Sequence, residues 1–170
     1  PTDAITMLFM KMGHRFSLFR IEVYSYNERT ECLELEHQWV EEGFQPKKER
    51  ALTFPKQLAA ECVKQAEFMP LAFLGKRSHT ALSDYINENN MLKAKGSGLA
   101  CGFFDQGIFK GCVVLRDISE NRRWSFEIQN VLQNITKILS TYLIKIRDGA
   151  RLALQSKMNQ IVSSNQETWS

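Results

Sequence analysis

The 170-residue chain lacks any run approaching the about 18 consecutive apolar residues of a membrane span. It also lacks a strong charge of one sign. Lys and Arg number 22 against 19 Asp and Glu, a formal net charge of +3 that is too balanced to point to nucleic acid. The short basic cluster Lys47-Lys48-Glu49-Arg50 has no interleaved aromatics, so it reads as solvated loop rather than a base-stacking platform. The four cysteines, Cys32, Cys62, Cys101 and Cys112, include no C-x-x-C pair, which leaves a zinc knuckle or a thioredoxin-like site without support. The three histidines, His14, His37 and His79, show no ligand spacing; they read as a helix-end, a core and a loop residue. No G-x-S-x-G elbow, P-loop or dinucleotide fingerprint occurs, so no enzyme is expected. There is no internal repeat, and no basic-then-apolar leader follows Pro1. The expectation is a cytoplasmic piece of a longer protein, with its thiols reduced.

What is present suffices for one folded domain: 44% hydrophobic and 24% charged residues. Ile5, Leu8, Phe9 and Met12 recur at the helical period, and Gly13 weakens the end of that helix. Residues 17–26 then alternate as a half-buried strand, with Phe19, Ile21 and Val23 inward and Arg20 and Glu22 outward. Residues 31–40 alternate most cleanly, placing Leu33, Leu35, His37 and Trp39 on one face; the two runs predict an antiparallel hairpin. Pro55 opens a helix carrying Leu58, Cys62 and Val63, Pro70 limits 68–74 to an edge strand, and Thr80 can cap a short helix.

Residues 97–104 and 108–116 form two strands joined by a turn in which Gly107 supplies positive φ. Both are apolar on both faces, so both faces of the sheet must be covered. If Gln106-Gly107 is the turn, Cys101 lies opposite Cys112. A long helix follows from Trp124, with Phe126, Ile128, Val131, Leu132, Ile135, Ile138, Leu139, Tyr142, Leu143 and Ile146 in one wide stripe. It thins through Ala150, Ala153, Met158 and Ile161. The fold class is α+β: a central antiparallel sheet with terminal helices packed on one face and short helices and loops on the other.

This order resembles a GAF domain over residues 5 to about 146. Phe16 and Arg20 match its first strand, and His37-Gln38-Trp39 stands where many members read Tyr-Glu-Trp. Gly43 to Pro46, Phe54-Pro55 and the strand from Ser97 to Phe104 match further motifs, with Gly102 where a proline is usual. Gly107, Gly111, Asp117 and Arg123-Trp124-Ser125 complete the match. The resemblance implies a regulatory signal-input domain over 1–146. Residues 147–170 are then a signalling helix or linker to an output domain, of the cyclic-di-GMP or histidine kinase kind. It names no cofactor. The cyclic-nucleotide pattern is incomplete, since no Lys follows Asn121 and no Asp-Glu pair follows Phe126. The Cys next to His of bilin-binding members does not occur.

The resemblance also places a ligand between the sheet and the short-helix layer, lined by Trp39, Phe54, Phe73, Tyr85, Leu92, Leu99, Cys101 and Phe103. Ile21, Trp39 and Leu99 should then be buried, with a cavity beside Leu99, Cys101 and Trp39. A filled core in a constitutive dimerisation module is the alternative, and a free methionine-(R)-sulfoxide reductase type is a third reading. The partners expected are an unidentified small ligand and a second copy, with no nucleic acid and no membrane segment. The stripe through Leu143 and Ile146 is wider than one sheet face requires. Its continuation to Ile161 predicts a homodimer through a parallel helical seam. Thiol titration of the denatured, unreduced chain should find four free cysteines; two would place a disulfide in the domain.

Overall fold

The computed structural model describes residues 3–75, 84, 96–145 and 151–164. In chain order these form α1 (Ala4–Phe16), β1 (Arg20–Asn27), β2 (Cys32–Val40), β3 (Ala51–Thr53), α2 (Lys56–Phe68) and β4 (Leu71–Leu74). There follow β5 (Ser97–Asp105), β6 (Ile108–Asp117), α3 (Phe126–Lys145) and α4 (Arg151–Ser164). The six strands make one sheet in the order β3-β2-β1-β6-β5-β4, antiparallel at every pairing. The α+β layout read from the pattern is therefore present. The short helix expected after Thr80, with His79, Tyr85 and Leu92, lies outside the described residues, as does Ile146.

Asp3 caps α1 by accepting the Thr6 N–H at 2.7 Å. That bond is the leading cause that holds the Asp3 carboxyl below its ordinary value. The helix does not weaken at Gly13; it runs to Phe16 and ends where Ser17 turns left-handed. Gly13 serves the packing instead. A Cβ there would lie 2.1 Å from the Trp39 ring, so the indole lies directly against the helix backbone.

The sheet is buried on both faces. On one face α1, α3 and α4 enclose a core that includes Leu8, Phe9, Ile21, Val23, Leu99, Leu115, Ile128 and Leu132. On the other, α2 covers Tyr24, Leu33, Leu35, Phe54, Ala100, Phe109 and Val114. β1 is consequently not half-buried, because Glu22 is as fully enclosed as Ile21. A strand in the middle of a sheet covered by helices has no solvent face.

Two bulges change which side chains share a face. Val23 pairs with His37 but Tyr24 pairs with Leu35, so Glu36 is an extra residue in β2. The bulge splits the expected set. Leu33 and Leu35 face α2, whereas Trp39 faces α1 and His37 contacts Thr6 and Phe9 there. At the other hairpin, Gln106 and Gly107 form the expected two-residue turn, both with positive φ. A second irregularity between Phe103 and Phe104 leaves Lys110 unpaired and sets Cys112 opposite Gly102, not Cys101. Cys101 faces the terminal helices and Cys112 the α2 side, so the sheet stands between the two thiols.

α3 buries Ile128, Leu132, Ile135 and Leu139, but Phe126, expected in that stripe, is exposed. Beyond it, the described apolar side chains of the stripe pack inward. Met158 of α4 is fully buried in the α1–α3 core, with Ile161 and Val162 packed against it. Met158, Ile161 and Val162 are thus covered within the chain, while Ile146, Ala150 and Ala153 of the expected seam lie outside the described side chains.

Gly13→Ala should destabilise the protein by about 1–3 kcal/mol through overpacking against Trp39. Helix propensity alone predicts a gain of about 1 kcal/mol, so urea unfolding separates the two by sign.

Candidate functional site

On the α2 face, the aliphatic and aromatic core borders a partly open cavity of about 60 Å³. Its sheet wall is Ala100, Gly102 and Phe104 of β5 with Cys112, Val114 and Arg116 of β6. Its opposite wall includes Cys62, Ala66 and Met69 from α2 and the residue after it. Phe54 and Phe109 stack at 5.4 Å between centroids, and Phe104 meets Phe109 edge-on. The space exists because Ala100 and Gly102 are small where β5 faces α2, while the larger Leu99 and Cys101 face the other way.

One end of the cavity is polar. Tyr24 donates to Glu22 Oε2 at 2.6 Å, and Arg116 Nε donates to Glu22 Oε1. Glu22 and Arg116 are 0% and 4% exposed. Burial by itself would raise the Glu22 carboxyl, but the Arg116 charge and the Tyr24 hydrogen bond outweigh it and hold the group below its ordinary value. Burial and the Glu22 charge push the Tyr24 phenol up, so it stays a donor. The Lys47 ammonium lies 5.8 Å from the centroid of the Tyr24 ring, and burial lowers its pKa. Arg20 donates through Nη2 to the Gln45 carbonyl at 2.8 Å, while its Nε is enclosed without a partner. Gln38 fastens the Lys47 loop by accepting the Lys47 N–H and donating to its carbonyl. Burial also pushes the Cys62 thiol up to about 12 and raises Cys112, so both are neutral, unreactive walls.

Of the residues singled out from the sequence, Phe54 lines this cavity. Trp39, Leu99 and Cys101 are buried, as Ile21 is, but in the core beneath α1 and α3, with Phe73 packed against it. Phe103 is buried beside a surface groove that Leu143 and Ile144 also line. Tyr85 and Leu92 lie outside the described residues. The cavity is therefore one face away from the place expected beside Leu99, Cys101 and Trp39. The sequence reading followed the large residues of β5, whereas space forms where residues are small. The alternate set Ala100-Gly102 was the available signal. Glu22, Tyr24 and Arg116 were missed because a charged residue in an alternating strand reads as solvent-facing. Among the described residues no cluster of His, Cys, Asp or Glu is arranged to hold a metal.

No family model matches the chain, and no curated protein does either. Solved structures do. The chromophore-binding domain of the bacteriophytochrome RpBphP3 from R. palustris superimposes with a TM-score of 0.64 at 13% identity, over 86% of this chain and 56% of that one. The PixJ GAF domain of Thermosynechococcus elongatus gives 0.54 at 15% identity, over 96% and 91% of the two chains. This chain has the GAF fold. A further structure of the cyanobacteriochrome receptor PixJ gives 0.60 at 16% identity, over 84% of this chain and 94% of that one. The chain spans little more than half the length of the bacteriophytochrome domain, and nearly all of the single GAF domains.

Arg116→Met should cost about 3–5 kcal/mol, because it leaves the Glu22 carboxylate buried and unpaired. Adding Glu22→Gln should restore most of that. The pH profile carries the sign. The Glu22 carboxyl is held below its unfolded value of about 4.5, so its contribution is complete above that pH and is lost as pH falls through the folded pKa. Acid titration of unfolding should show this loss in the natural chain and not in the double variant.

Proposed function

We propose that the chain is a sensory signal-input module that binds a small ligand in the α2-face cavity and relays occupancy through its terminal helices. One observation carries this reading. β5 and β6 wall the cavity with Ala100, Gly102 and Val114, while the intervening Leu99, Cys101 and Val113 lie in the core with α3. A ligand pressing on one side of these strands moves a close-packed layer on the other, and packed layers respond by discrete shifts. In this reading residues 1–146 sense and residues 147–170 carry the shift to an attached output domain, of the cyclic-di-GMP or histidine kinase kind, in the cytoplasm. No catalytic role is assigned.

The likeness to photoreceptor domains supports the sensory role. The ligand is of another size. A cavity of about 60 Å³ has room for roughly four to six water-sized groups, far less than an open-chain tetrapyrrole. A constitutive dimerisation module is the second reading. Met7 and Met10 are exposed one turn apart on α1, and Ile144 is exposed beside the half-buried Leu143 on α3. The proposed homodimer contact uses these terminal helices with Leu143 and Ile146.

Native mass spectrometry of the purified chain should find a bound small molecule added to its 19.7 kDa. Ala100→Leu should fill the cavity, remove that mass and change stability by less than about 1.5 kcal/mol. A ligand-free chain in which Ala100→Leu costs about 3 kcal/mol or more identifies an ordinary filled core. Light scattering tests the second reading: a dimer that Met7→Glu with Met10→Glu converts to monomer supports it.

A further inference from the structure

The cavity's polar end has an unspent donor edge. Arg116 lines the cavity, is almost wholly buried, and among the described residues donates through its Nε to Glu22. Among the described residues its two Nη groups make no hydrogen bond, and they are not sealed off as Arg20 Nε is. A guanidinium that anchors itself through Nε presents a planar Nη edge matched to a carboxylate. The surrounding charge has the same bias: among the described residues Arg20, Lys47 and Arg116 gather around Glu22. Tyr24 adds no charge, since its phenol is held neutral. Beyond this end the walls are Phe54, Phe104, Phe109, Ala100 and Val114.

We propose that the ligand is a small organic carboxylate with a compact apolar body, its carboxylate held by the Nη edge of Arg116 and its body against Phe54 and Phe109. This rests on the cavity being a ligand site. The size argues for a short branched chain of about six non-hydrogen atoms, by the same count of water-sized groups. An apolar neutral molecule of the same shape leaves the Nη edge unpaired in a desolvated place, which is what makes such a site selective.

The test uses the full 170-residue chain and three probes: isobutyrate, its neutral isostere isobutyramide, and inorganic phosphate. Calorimetric titration and thermal unfolding should show isobutyrate binding at least tenfold tighter than isobutyramide, with phosphate giving no shift. Arg116→Lys keeps the charge opposite Glu22 but loses the fork. It should weaken isobutyrate about tenfold and leave isobutyramide unchanged. Where that variant does not fold, the isobutyrate–isobutyramide pair on the natural chain decides alone. Equal binding of the two overturns the carboxylate assignment and leaves the cavity a ligand site. Phosphate binding as tight as isobutyrate overturns the apolar body. Binding by none of the three overturns the proposal, and the native mass measurement then says whether the cavity is occupied by something else.

Discussion

The structure turns on the pairing of Glu22 with Arg116, a carboxylate and a guanidinium enclosed on one face of two adjacent central strands. Their positions follow from register. Arg116 pairs with Arg20 and Val114 with Glu22, so the ion pair runs diagonally across the β1–β6 ladder. Burying either charge alone costs several kcal/mol, and the two together offset that cost only while the ladder holds this register. A slip of one residue in β1 would put Glu22 beneath the terminal helices and Ile21 beside Arg116. The pair therefore specifies the alignment of the strands on which every other layer rests, whatever its net contribution to stability.

With that register set, the sheet has two unlike faces. The terminal-helix face is filled by Ile, Leu, Val and Phe from the strands and by the buried line Ile128, Leu132, Ile135 and Leu139 of α3. The α2 face alternates large aromatics with Ala100 and Gly102, and is the one that borders the cavity. The asymmetry is built into β5, where Leu99, Cys101 and Phe103 alternate with the smaller Gly98, Ala100 and Gly102 before Phe104. In the proposed function the close-packed face transmits displacement and the loosely filled one admits a guest, and setting the two back to back on one strand couples them.

Much of this was legible in the chain. The helical period of α1 and α3, the turn at Gln106-Gly107 and the strand order of the hairpins follow from pattern alone. So did the need to cover both sheet faces. The choice of face was not legible, because it depends on two bulges. Leu33-x-Leu35-x-His37-x-Trp39 is an unbroken alternation in sequence. Yet Glu36 stands out of register, so the set divides between the two cores. Nothing in the residue types marks Glu36 or Lys110 as extra; pairing with the neighbouring strand decides it. β3 escaped notice for a similar reason, since three residues are too few for alternation to register and its place is given by pairing with β2.

The same reasoning explains why polar residues were the harder half of the site. In a strand, a charge between apolar neighbours is ordinarily the solvent side of an amphipathic element. Glu22 breaks that rule because α2 and the Lys47 loop cover its face, and the positive charge that makes the burial tolerable comes from residues remote in sequence. Arg116 is 94 residues away from Glu22 and Lys47 is 25, so no local window joins them. Their joint signature is instead an excess: a buried position that supplies more donors than the fold consumes. Glu22 accepts from Tyr24 and Arg116 and is satisfied by them. Among the described residues the guanidinium makes no further hydrogen bond, and it lines a largely apolar cavity. A buried donor that the described residues leave unused, beside a largely apolar space, is the feature from which the proposed chemistry of a guest is read.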